Sequence, residues 1–497
     1  MKAFTLTLAT MLGMASAIPA AHATPAAGAT PSKDALVCET CPTVDRSKKP
    51  DAAPLPSVTF PDAITSTLPN GLRVYVLPTK KQPTVTYRLL IKSGDLFDGS
   101  KPGLADLTAN MLNKGTEALA ADEFAKKTDF IGASVEASSS DDALSIMAVG
   151  LAKYQGELLD FLRDLTLRPA FRPDELDKEK VKAVSNLVQK KMEPGDLSVR
   201  LRDKLLYGAH PYGAFATPES VQSITRDDLV KFHDTYFLPG NATLIVVGDI
   251  DPAAIQSRIK EVFGDWKSGS LPKLDLPAFP AIKGISFHLV DRPASVQSNV
   301  VVSAAGVPRN NPDTPELSVI NSVLGGGMSG RLFANLREKH GYTYGSYSTF
   351  ALKKLGGSFS ATAEVRNEVT APAITEILNE LNRITSKPIP EPEVNRQKSY
   401  LSGNFLLSLE SEQRTAERLQ EIDLYGLPED FYKNYARRIT SVTAEKATEL
   451  AKKYIDPKDL VIVVVGSAKE VLPQLQKLGP VTIYNTDLKK VSEAPMQ

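Results

Sequence analysis

Two sets of residues could do chemistry by type and spacing. The chain has only two cysteines, in Cys38-Glu39-Thr40-Cys41. Such a pair can shuttle a disulfide or supply half of a metal site. A thioredoxin-like motif opens a helix after a strand, and the Ala-, Pro-, Thr- and Ser-rich surroundings provide neither. A tetrahedral zinc site needs four ligands, and no further cysteine exists. The reading that fits best is a local disulfide in an exported leader. The five histidines are His22, His210, His233, His288 and His340, and no two lie within four residues. A metal helix with histidines at i and i+4, or its inverted form, therefore occurs nowhere in the chain. His210-Pro211-Tyr212-Gly213 reads as a packing turn, because a lone histidine without partners is more often hydrogen-bonded structure than catalyst.

The elements around these residues follow from composition and repetition. The 497 residues are 42% hydrophobic and 23% charged, enough for a sizeable core. Lys+Arg and Asp+Glu both number 58, so there is no global basic field for nucleic acid or an anionic membrane. Met1-Lys2, an apolar run over 3–19 and Ala21-His22-Ala23 read as a signal peptide over 1–23, cleaved after Ala23, with export expected to a periplasm. Thr5, Thr7, Thr10 and Pro19 interrupt the run, which argues against a spanning helix, and no later segment predicts one. Residues 24–57 read as a flexible leader.

The remainder reads as a duplication. Leu206-Tyr207-Gly208, Ser223-Ile224-Thr225, Tyr236, Pro239 and Gly248 recur 218 residues later as Leu424-Tyr425-Gly426, Ser441-Val442-Thr443, Tyr454, Pro457 and Gly466. In each copy a threonine can cap a helix that runs to the tyrosine, a proline follows, and a β-branched strand ends at the glycine. Upstream, Asn70-Gly71 predicts a turn. Leu72, Val74 and Val76, and then Val85, Tyr87, Leu89 and Ile91, alternate as strands. A helix over 104–114 follows, with Gly115 beyond it. Strands at 287–290 and 300–303 and a helix over 315–324 are the second-half counterparts. The halves are placed at 58–268 and 284–490, with a proline-containing linker at 269–283. The fold class is α+β: two similar halves, each a mixed sheet covered by helices.

Several segments carry a resemblance. They are Leu68-Pro69-Asn70-Gly71-Leu72-Arg73-Val74, Gly103-Leu104-Ala105, Met111-Leu112 and Lys114-Gly115-Thr116 in the first half. In the second they are Asp291-Arg292-Pro293, Gly325-Gly326-Gly327-Met328-Ser329, Arg331-Leu332-Phe333 and Leu336-Arg337-Glu338. Together they resemble the pitrilysin/insulinase-like zinc metallopeptidases, most of all the branch of the mitochondrial processing peptidase and its bacterial relatives. The resemblance runs from about residue 58 over nearly all that follows. It implies a duplicated α+β fold and pairing of two chains around a peptide-binding chamber.

Active members carry His-x-x-Glu-His before Met-Leu, two zinc ligands on one helix face with the water-polarising glutamate between them. Here those positions hold Asp106, Ala109 and Asn110. Matching Glu179-Lys180-Val181 to the family's later helix puts Asn186 at the third ligand, while Glu179 keeps the accompanying glutamate. All three ligands and the base are replaced, so zinc is expected in a partner subunit and none in this chain. Asp106 as a lone general base has nothing to activate and reads as a solvated or hydrogen-bonded helix carboxylate.

The resemblance preserves a second feature. The family carries an Arg and a Tyr seven residues apart that bind the substrate backbone and stabilise the tetrahedral intermediate; Arg337 and Tyr344 match. Gly341 can end the helix bearing Arg337, and a strand over 342–350 can present Tyr344. A guanidinium and a phenol converging on one carbonyl form an oxyanion-type site. The glycines at 325–330 read either as room for a peptide backbone or as a flexible turn. The expected function is the non-catalytic, substrate-binding subunit of a periplasmic heterodimeric zinc endopeptidase. The alternative is a peptide-binding or scaffold protein with no proteolytic role.

Overall fold

The computed structural model describes residues 60–497. The expected signal peptide and the whole of the expected leader, with Cys38 and Cys41, lie outside the described residues. The first sheet is built from β1 (Ile64–Thr67), β2 (Arg73–Pro78), β3 (Thr84–Ile91), β4 (Ser134–Ser139), β5 (Leu144–Leu151) and β6 (Ala242–Gly248). Its order is β1-β2-β6-β3-β5-β4. The second contains β7 (Ile285–Asp291), β8 (Gln297–Gly306), β9 (Thr343–Leu352), β10 (Gly357–Arg366), β11 (Leu460–Gly466), β12 (Val481–Tyr484) and β13 (Lys490–Ala494). Its order is β13-β12-β7-β11-β8-β10-β9. The run β2-β6-β3-β5-β4 repeats as β7-β11-β8-β10-β9, with the first pair parallel and the rest antiparallel in both. Each half is a mixed sheet covered by helices.

The 218-residue offset is a structural register. Helices Pro173–Lys190, Pro194–Tyr207 and Arg226–Tyr236 recur as Glu391–Ser408, Glu412–Tyr425 and Ala444–Tyr454, and β6 recurs as β11. Thr225 and Thr443 cap their helices, accepting from the backbone N–H of Asp228 and Lys446 at 3.3 and 3.1 Å. Earlier elements drift to offsets of 212 (β2 to β7) and 213 (β3 to β8), the result of length differences in the loops between.

Alternation along β2 and β3 predicts one open face, yet Tyr75, Leu77, Leu90, Ile245 and Val247 are buried as well. The second half supplies the cover. Leu419 and Ile422 of the Glu412–Tyr425 helix join Phe405, Phe431 and Tyr432 against Tyr75, Leu77, Ile245 and Val247. Reciprocally, Leu197 and Leu201 of the Pro194–Tyr207 helix pack on Val301, Val461, Val463 and Val465. This exchange of equivalent helices buries β6 and β11 on both faces, as their unbroken apolar runs require. Asp423 anchors one arm to the first sheet, paired with Arg73 at 3.0 Å and Lys92 at 2.6 Å and accepting from Thr243. Burial alone would raise its pKa; the hydrogen bonds from Lys92 and Thr243 and the charges of Lys92 and Arg73 hold it below the usual range.

His288 on β7 lies buried between Ser286 Oγ at 3.0 Å and Tyr484 Oη at 3.3 Å, and burial lowers its pKa from 6.5 to about 4. The unfolded chain therefore binds a proton there that the native state refuses. His288 contributes stability above pH 6.5, and that contribution is lost as pH falls toward 4, by about 3 kcal/mol in all. Asp95 and Asp98, raised by burial to about 6 and about 7, titrate with the opposite sign in this window. The measurement is thus a comparison of wild type with His288→Gln in urea at pH 7 and pH 4.5. The variant should show the shallower acid loss, and equal losses would refute the assignment.

Candidate functional site

The Leu104–Leu112 helix starts where Gly103 adopts φ 98° and donates its N–H to Asp98 Oδ2 at 2.6 Å; Ala105 N–H donates to Asp98 Oδ1 at 2.7 Å. It ends two residues short of the expected 114, in a turn through Lys114 to Gly115 (φ 91°). Asp106 and Asn110 share a face of this helix, and Asn110 Nδ2 donates to Asp106 Oδ2 at 3.4 Å. Ala109 is fully buried in the first-half core. Glu179 and Asn186, one face of the Pro173–Lys190 helix, meet Asp106 and Asn110 in a single cavity of about 420 Å³. Four of the five positions matched from the sequence therefore stand together, while Ala109 lies outside the lining.

The cavity's electrostatics do not suit a zinc ion. Lys114 Nζ pairs with the buried Glu179 carboxylate at 2.9 Å and Lys182 Nζ approaches it at 3.7 Å. Lys182 and Lys190 also line the cavity. Asp106 has solvent access but sits in a concavity with protein on most sides. That loss of bulk water pushes its pKa up, with Glu179 adding and Lys190 opposing. A zinc site needs imidazole, thiolate or carboxylate donors in tetrahedral array. The lining offers three amides that bind metal poorly (Asn110, Asn186 and Gln189), three carboxylates of which Glu179 is already paired with lysine, and the ammonium groups of Lys182 and Lys190. Among the described residues no three His, Cys, Asp or Glu side chains are grouped to hold a metal. The countercharges were not anticipated from the sequence. Lys182 stands one helical turn past Glu179, and that spacing was the available signal.

Arg337 and Tyr344 are brought together by two irregularities. The segment after Gly330 begins as helix Arg331–Phe333 and continues as a π-helical turn over Ala334–Lys339. The single α-helix expected for Arg337 is thus locally widened, a distortion frequent at functional sites. Gly341 closes it at φ 64°. Tyr344 lies on the edge strand β9 at a bulge. Thr343 pairs with Val365 and Ser346 with Ala363, so Tyr344 and Gly345 together oppose Glu364. Arg337 Nη1 donates to the Tyr344 carbonyl, and its guanidinium carbon lies 5.8 Å from the Tyr344 ring centroid and 5.2 Å from that of Phe333. Both side chains are exposed, Tyr344 to 83%. A groove of about 410 Å³ runs beside Tyr344, lined also by Gln297, Asn299, Tyr347 and Glu364. It shares no residue with the Asp106 cavity.

His210 is buried, with Nδ1 accepting from Tyr212 N–H at 3.2 Å and its ring 4.5 Å from Phe279 of the linker. It packs a turn. Among the described residues no helix is long and apolar enough to cross a membrane.

Two sheets of common topology, exchanged helices and a cavity at the matched metal positions define a duplicated peptidase-like fold. Two family models fit it: Insulinase (Peptidase family M16) over residues 73–213 and Peptidase M16 inactive domain over residues 223–401. The chain belongs to peptidase family M16. It is 26% identical over 396 residues to the uncharacterized zinc protease YmxG of Bacillus subtilis, covering 78% of this chain and 94% of the relative. It is 27% identical over 392 residues to an uncharacterized zinc protease of Rickettsia felis, covering 78% and 90%. Of solved structures, a peptidase M16 inactive domain from Pseudomonas fluorescens matches with TM-score 0.77 at 26% identity, over 82% of this chain and 98% of that one. A protease from Helicobacter pylori matches with TM-score 0.76 at 22% identity, over 82% and 99%, a likeness of fold.

Proposed function

We propose that this chain is the non-catalytic, substrate-binding subunit of a heterodimeric zinc endopeptidase of the periplasm. A similar-sized partner would bring the zinc and its ligands. This chain would bring Arg337 and Tyr344 to the peptide, and one wall of the chamber. One observation carries the reading: a π-helical turn and a β-bulge converge to present an exposed guanidinium and phenol side by side, in a chain whose own metal positions are filled by Asp106, Ala109, Asn110 and Asn186. Irregularities of this kind are stabilised only where the surroundings hold them, and they cluster at functional sites.

The test is native mass spectrometry of the tagged protein purified from its own periplasm, with zinc counted on the same sample. A species near twice the subunit mass, holding a second chain and one zinc, is expected. This chain purified alone should hydrolyse no peptide. A zinc-free monomer or homodimer would overturn the reading and leave the peptide-binding or scaffold role.

A further inference from the structure

A third cavity, of about 380 Å³, lies beside the π-helical turn that carries Arg337. The π-helical turn lines it through Ala334, Asn335 and Lys339, and the Thr370–Ser386 and Glu391–Ser408 helices complete it. Its wall holds four cationic side chains, Arg331, Lys339, Arg383 and Arg396, and two carboxylates, Glu380 and Glu393.

The pairing inside is incomplete in a specific way. Arg331 Nε donates to Glu393 at 2.8 Å. Glu380 Oε1 accepts from Asn335 Nδ2 at 3.0 Å and from Arg383 at 3.4 Å. Arg331 Nη1, Asn335 Oδ1 and Glu380 Oε2 have no partner among the described residues. These three side chains are 9%, 8% and 5% exposed, so bulk water does not serve them. Buried polar groups are nearly always paired, and unpaired ones are costly. The orphans are one charged donor and two acceptors, one of them charged.

An anion alone would satisfy Arg331 but meet Glu380 with like charge. A cation alone would suit Glu380 and face the arginines. A group with both an ammonium and a carboxylate answers both. At the rim, Lys339 and Arg396 have no salt-bridge partner among the described residues, which favours a second carboxylate. The volume lies within the range of small-ligand sites. We infer that this cavity binds a small acidic amino acid of the glutamate type: its α-carboxylate on Arg331, its ammonium on Glu380 and Asn335, and its side-chain carboxylate toward Lys339 and Arg396.

The inference does not rest on the subunit reading, because the isolated chain suffices to test it. Isothermal titration of the full chain with L-glutamate, at fixed pH and ionic strength, should show saturable binding to one site. Glutarate, which lacks the ammonium, should bind at least about tenfold more weakly. Glu380→Gln should weaken glutamate by a similar factor while keeping the side chain's shape. Arg396→Ala, at the exposed rim where folding is not at stake, should weaken it severalfold. No saturable heat at millimolar glutamate would mean the cavity holds water only and would overturn the inference. So would glutarate or inorganic phosphate binding as tightly as glutamate, or glutamate binding that neither variant alters.

Discussion

Arg337→Ala, assembled with a zinc-bearing partner, is expected to lower kcat for peptide hydrolysis by about a hundredfold or more while the complex stays intact. Removing one preorganised donor from an oxyanion-type site costs about that much. The side chain is exposed, and its only intramolecular hydrogen bond among the described residues is to the Tyr344 carbonyl, so little folding energy is at risk. The loss should therefore appear in kcat more than in KM or in thermal stability, because the interaction strengthens as charge develops. Tyr344→Phe is the sharper companion, since it keeps the ring, the bulge and the carbonyl that Arg337 grips and deletes only the hydroxyl. If the two act on one oxygen, the double variant should cost much less than the product of the single losses. Full activity of the Arg337→Ala pair would sink the clamp assignment.

How far the sequence alone reaches depends on whether a feature is local. The threonine caps at 225 and 443 and the apolar strands that end at Gly248 and Gly466 are written in neighbouring residues and recur at one offset, so they were legible. Burial of Tyr75 and Leu77 was not, because β2 alternates as if one face were open while the cover comes from the Glu412–Tyr425 helix, more than three hundred residues away. The family resemblance matched Asp106, Ala109, Asn110, Glu179 and Asn186 to the zinc-site positions, and the structure places all of these but Ala109 around one cavity. It gave no hint that Lys114 pairs with Glu179, a contact across 65 positions that exists only once the turn after the Leu104–Leu112 helix meets the Pro173–Lys190 helix. Arg337 and Tyr344 were singled out by the family resemblance, and a regular helix followed by a regular strand was the natural reading of the segment that carries them. The π-turn buries Asn335 and Leu336 and the bulge is a register shift against β10, and neither leaves a pattern in the chain.

The seam between the halves sets the second large effect. The β4–β5 and β9–β10 turns are equivalent by the duplication, and they meet each other. Asp142, 3% exposed, accepts from the Tyr212 hydroxyl and from the backbone N–H of Lys354 at 2.9 Å. Leu355 N–H donates to the same hydroxyl at 3.4 Å. Lys353 pairs with Asp141 at 2.9 Å and lies 5.1 and 4.6 Å from the Tyr207 and Tyr212 ring centroids. Burial raises the Asp142 pKa, opposed by the hydrogen bonds from Tyr212 and Lys354. Asp142→Ala would leave two buried donors with no acceptor, so a loss of about 2–5 kcal/mol is expected. Tyr212→Phe should cost about 1–3 kcal/mol, and the double variant less than the sum. The chain's single tryptophan, Trp266, is buried with its indole N–H on the Phe237 carbonyl, so its fluorescence reports the first half alone. Circular dichroism reports both. In wild type the two urea transitions should coincide, because the exchanged helices and this seam make one cooperative unit. In Asp142→Ala they should move to lower urea and separate. A midpoint unchanged within about 0.5 kcal/mol would show that the exchanged helices alone join the halves and that the Asp142 contacts add nothing to them.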